Sequence, residues 1–281
     1  MKKLLLLILL IFLCLPAYSI NYICLPDNSF EKKDENMINT ITGIEFASKK
    51  IAEVIISKEL GDELHSKIQT KLDIYNVKRL KQGEFKSLTF KSKKINYKSF
   101  SMSDFKATTI CPYNKVIYKK TRVYYPNELP FKFQAKITNE DIQNAINSEE
   151  FITFIKKNPV KINQITIMNI DTPQVTIKKD KIYFEVPINS ILGDFKFKFH
   201  SSVAIQDNHL ILKNISLNSK NKIIKNNTLS QITNEINPFK YQLNSFSGKY
   251  CKIYITNAKI SDNIINTEGV FIINKNYNGE K

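Results

Sequence analysis

Few side chains in this chain are of the types that do chemistry. Histidine occurs three times, as His65, His200 and His209; none stands at metal-ligand spacing from another or beside a serine or cysteine in a nucleophile setting. His200 continues the outward side of an alternating run and His209 adjoins a turn, so both are expected at the surface. The acidic pairs Glu140-Asp141 and Glu149-Glu150 fall where the first turn of a helix is expected, and negative charge there complements the helix dipole. G-x-S-x-G and H-E-x-x-H are absent, as is any S-x-x-K in a catalytic context. Seven glycines, scattered from Gly43 to Gly279, form neither a phosphate-cradling loop nor a dinucleotide fingerprint. The residues point to no catalytic group, no metal and no cofactor, and a non-enzymatic role is expected.

Basic residues are the next candidates, because Lys and Arg number 42 against 26 Asp and Glu, a balance of +16. Lys91, Lys93 and Lys94 lie between Phe90 and Ile95, while Lys119, Lys120 and Arg122 lie beside Tyr118 and Tyr124. Interleaved cations and aromatics can form a platform for single-stranded nucleic acid. Lysine dominates, however, and is spread over many alternating runs, and an exported protein rarely meets nucleic acid. The charge is therefore read as a solvated exterior that can attract an anionic membrane surface, with Lys91, Lys93 and Lys94 as membrane-facing residues and no nucleic-acid partner.

Export follows from the first residues. Met1-Lys2-Lys3 precedes an apolar run from Leu4 to Leu15, closed by Pro16-Ala17-Tyr18-Ser19. Twelve helical residues span ~18 Å, short of a ~30 Å hydrocarbon core, and Ala17-x-Ser19 has the small side chains that signal peptidase accepts. Residues 1–19 are read as a signal peptide cleaved near Ser19, placing the mature chain in the periplasm or cell envelope with a balance of +14. Cys14 leaves with the leader, so Cys24, Cys111 and Cys251 are the disulfide candidates; three pairings are possible, and no C-x-x-C occurs.

The elements that must position these residues are read from periodicity. Residues 20–41 form a polar arm. Thr42-x-x-Glu45 is a capping-box signature, and Ile44, Ala47, Ile51, Val54 and Ile55 follow at helical spacing as far as Leu60. The period then falls to two, most clearly in Phe131, Phe133, Ala135, Ile137 and in Phe195, Phe197, Phe199, with lysines between. Asp207-Asn208 marks a hairpin turn. Thr138 to Asp141 starts a helix carrying Ile142 and Ile146, Ser148 to Glu150 starts one carrying Phe151 and Ile155, and a third helix is expected between Ile223 and Ile236. The fold class is α+β: one antiparallel domain over residues 42–275, followed by a tail at 276–281.

The phrase Leu80-Lys81-Gln82-Gly83-Glu84-Phe85-Lys86-Ser87-Leu88, then Ile137-Thr138-Asn139-Glu140-Asp141-Ile142 and Ser148-Glu149-Glu150-Phe151, in that order after a leader and a helix, resembles the LmeA family of envelope phospholipid-binding proteins over roughly residues 43–273. The resemblance implies a half-barrel of the tubular lipid-binding type, a strongly twisted antiparallel sheet wrapped around a long amphipathic helix. It also implies phospholipid as partner, and carries over no catalytic residues. Independently, long strands with Phe and Ile on one side need a large apolar partner, and acyl chains gain ~0.8 kcal/mol per buried methylene. Ile51, Val54, Ile55, Phe133, Ile142, Ile146, Phe151 and Ile155 are the expected cavity lining. The expected function is a soluble, monomeric phospholipid-binding protein holding acyl chains in an apolar groove, for lipid transport or envelope maintenance. The alternative is a non-enzymatic envelope scaffold with a filled core.

Overall fold

A computed structural model describes residue 24 and residues 43–97, 100–119, 122–157, 160–162, 165–190, 193–217 and 251–275. The leader, the polar arm apart from Cys24, the helix expected between Ile223 and Ile236 and the tail at 276–281 lie outside the described residues.

Alternating apolar and polar residues build the first sheet. Its order is β1 (Ile68–Asp73), β3 (Ser87–Tyr97), β4 (Phe100–Thr109), β8 (Leu129–Ile137), β16 (Ile264–Ile273) and β15 (Cys251–Ser261), every neighbour antiparallel. Phe90, Phe105, Phe131 and Phe133 are buried on one side, and Phe131 stacks on Phe271 with ring centroids 4.7 Å apart. Gly269 faces Phe133 across the ladder, and a Cβ there would lie 2.2 Å from the Tyr254 carbonyl oxygen and 2.7 Å from the Phe133 ring. Only glycine lets that ring lie across β16.

The second sheet runs β14 (His209–Leu217), β13 (Gly193–Gln206), β12 (Lys181–Ser190), β10 (Ile165–Ile170) and β9 (Val160–Ile162), with β11 (Gln174–Lys178) also paired to β12. Phe184 and Phe199 stack at 4.6 Å. Phe197 and Phe199 point inward as expected; Phe195, at the start of β13, is exposed. Asp207-Asn208 makes the expected tight hairpin with φ of 51° and 62°, and Asp262-Asn263 makes a second with φ of 51° and 61°.

Two helices join the sheets. They are α3, Asn139–Ile146, and α4, Glu149–Lys157. α3 packs on β4 of the first sheet and β11 of the second, and α4 packs on β10. Thr138 and Asp141 form a capping box, as the sequence predicts for this start. The Asp141 carboxylate, fully buried, also accepts hydrogen bonds from Ser101 Oγ at 2.7 Å and Ser103 Oγ at 2.8 Å, both on β4. Asn139 Oδ1 accepts the Ile177 amide of β11. The start of one helix is thereby bonded to both sheets, and a single apolar core runs through them. At the other end the Ile255 amide donates to the Asn208 carbonyl at the tip of the β13–β14 hairpin.

The long helix α1, Gly43–Glu63, sits differently from the expectation of a helix wrapped by the sheet. It lies along β1, the edge strand, and also touches the short helix α2, Val77–Lys81. Its Ala52, Ile56 and Leu60 pack on the core. An edge strand offers unpaired amides, and α1 satisfies one of them: the Glu53 carboxylate accepts the Leu72 amide at 3.0 Å. Thr70 Oγ1 donates to the Glu53 carbonyl at 2.6 Å and meets Ser57 Oγ at 2.8 Å. α2 was not expected from the sequence. Asn76 caps it, and Gly83 follows it with φ of 77°, where a Cβ would lie 1.9 Å from the Val116 carbonyl oxygen.

Of the three possible cysteine pairings, Cys24–Cys111 is formed, with Cα atoms 5.5 Å apart and a sequence separation of 87. Closing a loop of that length stabilises a fold by about 4–5 kcal/mol in the chain-entropy account. The bond fits an oxidising, exported environment. Cys251 keeps a free thiol that burial pushes up to about 11. No helix among the described residues is long and apolar enough to cross a membrane.

Asp141→Ala removes the acceptor of four hydrogen bonds that tie the start of α3 to β4. Urea unfolding should show a loss of about 3 kcal/mol or more, read as a lower midpoint at unchanged slope, with smaller losses for Ser101→Ala and Ser103→Ala.

Candidate functional site

The outer side of the first sheet gathers lysines that the sequence keeps far apart. One row across the strands reads Gln69, Lys91, Lys106, Gln134, Glu268 and the next Lys71, Thr89, Thr108, Lys132. Lys71, Lys91, Lys93, Lys106 and Lys132 are all exposed. Lys91 stands directly opposite Lys106, an arrangement in which like charges cost stability. Within the first row Gln134 donates to Glu268 at 3.0 Å, and beyond the rows Lys136 pairs with Asp104 at 2.7 Å. Asp104 has φ of 46° and marks the register shift between β4 and β8.

On the corresponding side of the second sheet one carboxylate offsets part of the charge. Glu185 lies between Lys196 at 2.8 Å and Lys198 at 2.7 Å, and hydrogen bonds from both ammonium groups hold its carboxyl down at about 2.

Of the three lysines singled out as membrane-facing, Lys91 and Lys93 belong to this surface. Lys94 does not join them, since alternation along β3 turns it toward α3, where it pairs with Glu140. Lys71, Lys106 and Lys132 were not singled out. Alternation marks them as outward, but only the strand register makes them neighbours.

The eight expected lining residues separate into two groups. Phe133, Ile142, Ile146, Phe151 and Ile155 are buried together in the core. Ile51, Val54 and Ile55 are 61%, 66% and 55% exposed on α1, and Phe46, nearer its N-terminal end, is 59% exposed. At the C-terminal end of this stripe an open groove of about 390 Å³ is lined by Val54, Lys58, Asp62, Ser66 and Lys67 among others.

Two further sites carry perturbed groups. Burial raises the Glu53 carboxyl, but the Leu72 amide and Lys50, 2.7 Å away, outweigh it and hold the group below the ordinary range. Tyr75, whose hydroxyl donates to the Pro112 carbonyl at 2.6 Å, stacks on Tyr113 and lies under Arg79 and Lys86; burial, then Tyr113, pushes its phenol up to about 12. This cluster braces the loop that carries Cys111.

Among the described residues no group of three or more His, Cys, Asp or Glu side chains is placed to hold a metal ion. No family model, curated protein or solved structure matches the chain, so neither the LmeA resemblance nor any other family is identified by comparison.

Lys106→Glu should turn a repulsive cross-strand pair into an attractive one and raise stability by about 0.5 kcal/mol, measured by chemical denaturation. Glu53 has a lowered folded-state pKa, so its contribution is complete above the unfolded carboxylate range and is lost as pH falls through the folded value. Hydrogen exchange at the Leu72 amide should accelerate over that acidic window beyond the intrinsic pH effect, and Glu53→Ala should show the faster exchange already at neutral pH.

Proposed function

We propose that the protein is an exported, non-enzymatic phospholipid-binding protein that works at an anionic membrane surface. In this reading a signal peptide cleaved near Ser19 delivers it to the periplasm or cell envelope, where it acts as a monomer. The observation that carries the proposal is the cationic outer side of the first sheet, above all Lys91 opposite Lys106. Such a pair costs folding energy in water and is relieved when an anionic surface is brought against it, at ~1 kcal/mol per lysine near anionic lipid.

The finer reading of the fold follows the same line. Two open antiparallel sheets sharing one apolar interior, with α3 and α4 at their junction, suit a half-barrel of the tubular lipid-binding kind. Acyl chains would enter beside Phe133, Ile142, Ile146, Phe151 and Ile155, and the phrases resembling LmeA proteins point to the same ligand. A second reading, an envelope scaffold contacting anionic polymers, draws support from the close stacking of Phe131 on Phe271 and Phe184 on Phe199, which suits a filled core.

Chloroform extraction of the purified protein followed by mass spectrometry should recover phospholipid. Sedimentation with vesicles should show binding that rises with anionic lipid content and weakens in Lys91→Gln/Lys106→Gln. Protein that carries no lipid, takes up no fluorescent phospholipid and binds anionic polymer as well as vesicles would favour the scaffold.

A further inference from the structure

We propose that the outward side of α1 is a membrane anchor, lying in the headgroup and upper acyl layer of a phospholipid bilayer; this rests on the lipid-binding reading above. Ile51, Val54 and Ile55 are each more than half exposed and share one side of the helix, Ile51 and Ile55 one turn apart with Val54 beside them. Single exposed apolar residues are ordinary, whereas a contiguous stripe marks a contact surface. The stripe cannot be buried by rotation of the helix about its axis. Glu53 is held by the Leu72 amide, and Thr70 is bonded to both the Glu53 carbonyl and Ser57, so the outward direction of Ile51, Val54 and Ile55 is fixed.

Charge at the margins of the stripe identifies the occupant. Lys58 follows Val54 by one turn and is exposed. Its aliphatic stem is long enough to lie along apolar surface while the ammonium reaches a phosphate. In the groove at the C-terminal end, Lys58 and Lys67 offer two cations, and Asp62 offers a carboxylate. Two signs within one groove suit a headgroup carrying both phosphate and ammonium, such as phosphoethanolamine. The helix is not apolar enough to cross a bilayer, so it lies along the surface, as interfacial amphipathic helices do.

The chain contains no tryptophan, so one introduced indole reports from one place. Ile51→Trp and Ile55→Trp place it on the stripe, and Lys132→Trp places it on the lysine-rich sheet. Each variant is first checked for native circular dichroism, then mixed with vesicles of phosphatidylethanolamine and phosphatidylglycerol containing phospholipid brominated on the acyl chains. The expected result is a blue shift and strong quenching for both α1 reporters, persisting at high salt, and neither for Lys132→Trp. Lys58→Gln/Lys67→Gln should bind the vesicles at least fivefold more weakly. If vesicles still sediment the protein while the α1 reporters stay unquenched, the anchor is overturned and the lipid-binding reading stands. If no variant sediments and the protein yields no lipid on extraction, both are overturned. A blue shift without vesicles that grows with protein concentration, together with a doubled mass in ultracentrifugation, would mean that a second copy covers the stripe and would likewise overturn the anchor.

Discussion

The architecture depends on one buried carboxylate. Asp141 has no solvent exposure and accepts hydrogen bonds from the Thr138 amide and hydroxyl and from the Ser101 and Ser103 hydroxyls. A buried carboxylate is tolerable only when its lone pairs are satisfied, and here every donor comes from an element that must be in place. The cap of α3 and the position of β4 are therefore established together. Asn139, two residues earlier, extends the same constraint to β11. At this end the relation between the two sheets thus rests on a four-residue helix start.

The two candidate contact surfaces act over different ranges. Lysines on the first sheet attract anions over a Debye length, about 8–10 Å in physiological salt, and release them as salt rises. An apolar stripe acts only on contact and is largely indifferent to salt. A protein presenting both can be drawn to a surface by one and retained by the other. The core side of α1 uses Ala52, Ile56 and Leu60, while Phe46, Ile51, Val54 and Ile55 are left outside. Folding thus buries one side of the helix and leaves Ile51, Val54 and Ile55 exposed on the other.

How much of this was legible in the sequence depended on the range of the interaction. The capping residues of α3, the alternation of β8 and the Asp207-Asn208 turn are local, and they were read correctly from neighbouring residues. Asp262-Asn263 carries the same turn signal and passed unnoticed. The helical period of α1 was evident, but a helix apolar on two sides does not say which side faces in, and the bulkier side was taken for the buried one. Glu53, the residue that decides the question, looks like any surface glutamate until the edge strand is in place beside it. Register is equally invisible: Lys91 and Lys106 belong to one surface only because β3 pairs with β4 as it does. The cysteine pairing required the fold itself.

The Cys24–Cys111 bond also changes the topology of the chain. It closes a covalent ring that contains all of α1, α2, β1, β3 and β4. A single proteolytic cut anywhere inside that ring releases nothing, because both fragments remain joined through the sulfurs. The long helix and the lysine-bearing strands β1, β3 and β4 are thus carried on a segment that survives one scission without leaving the molecule. The strands from β8 onward lie outside the ring and have no such protection from this bond.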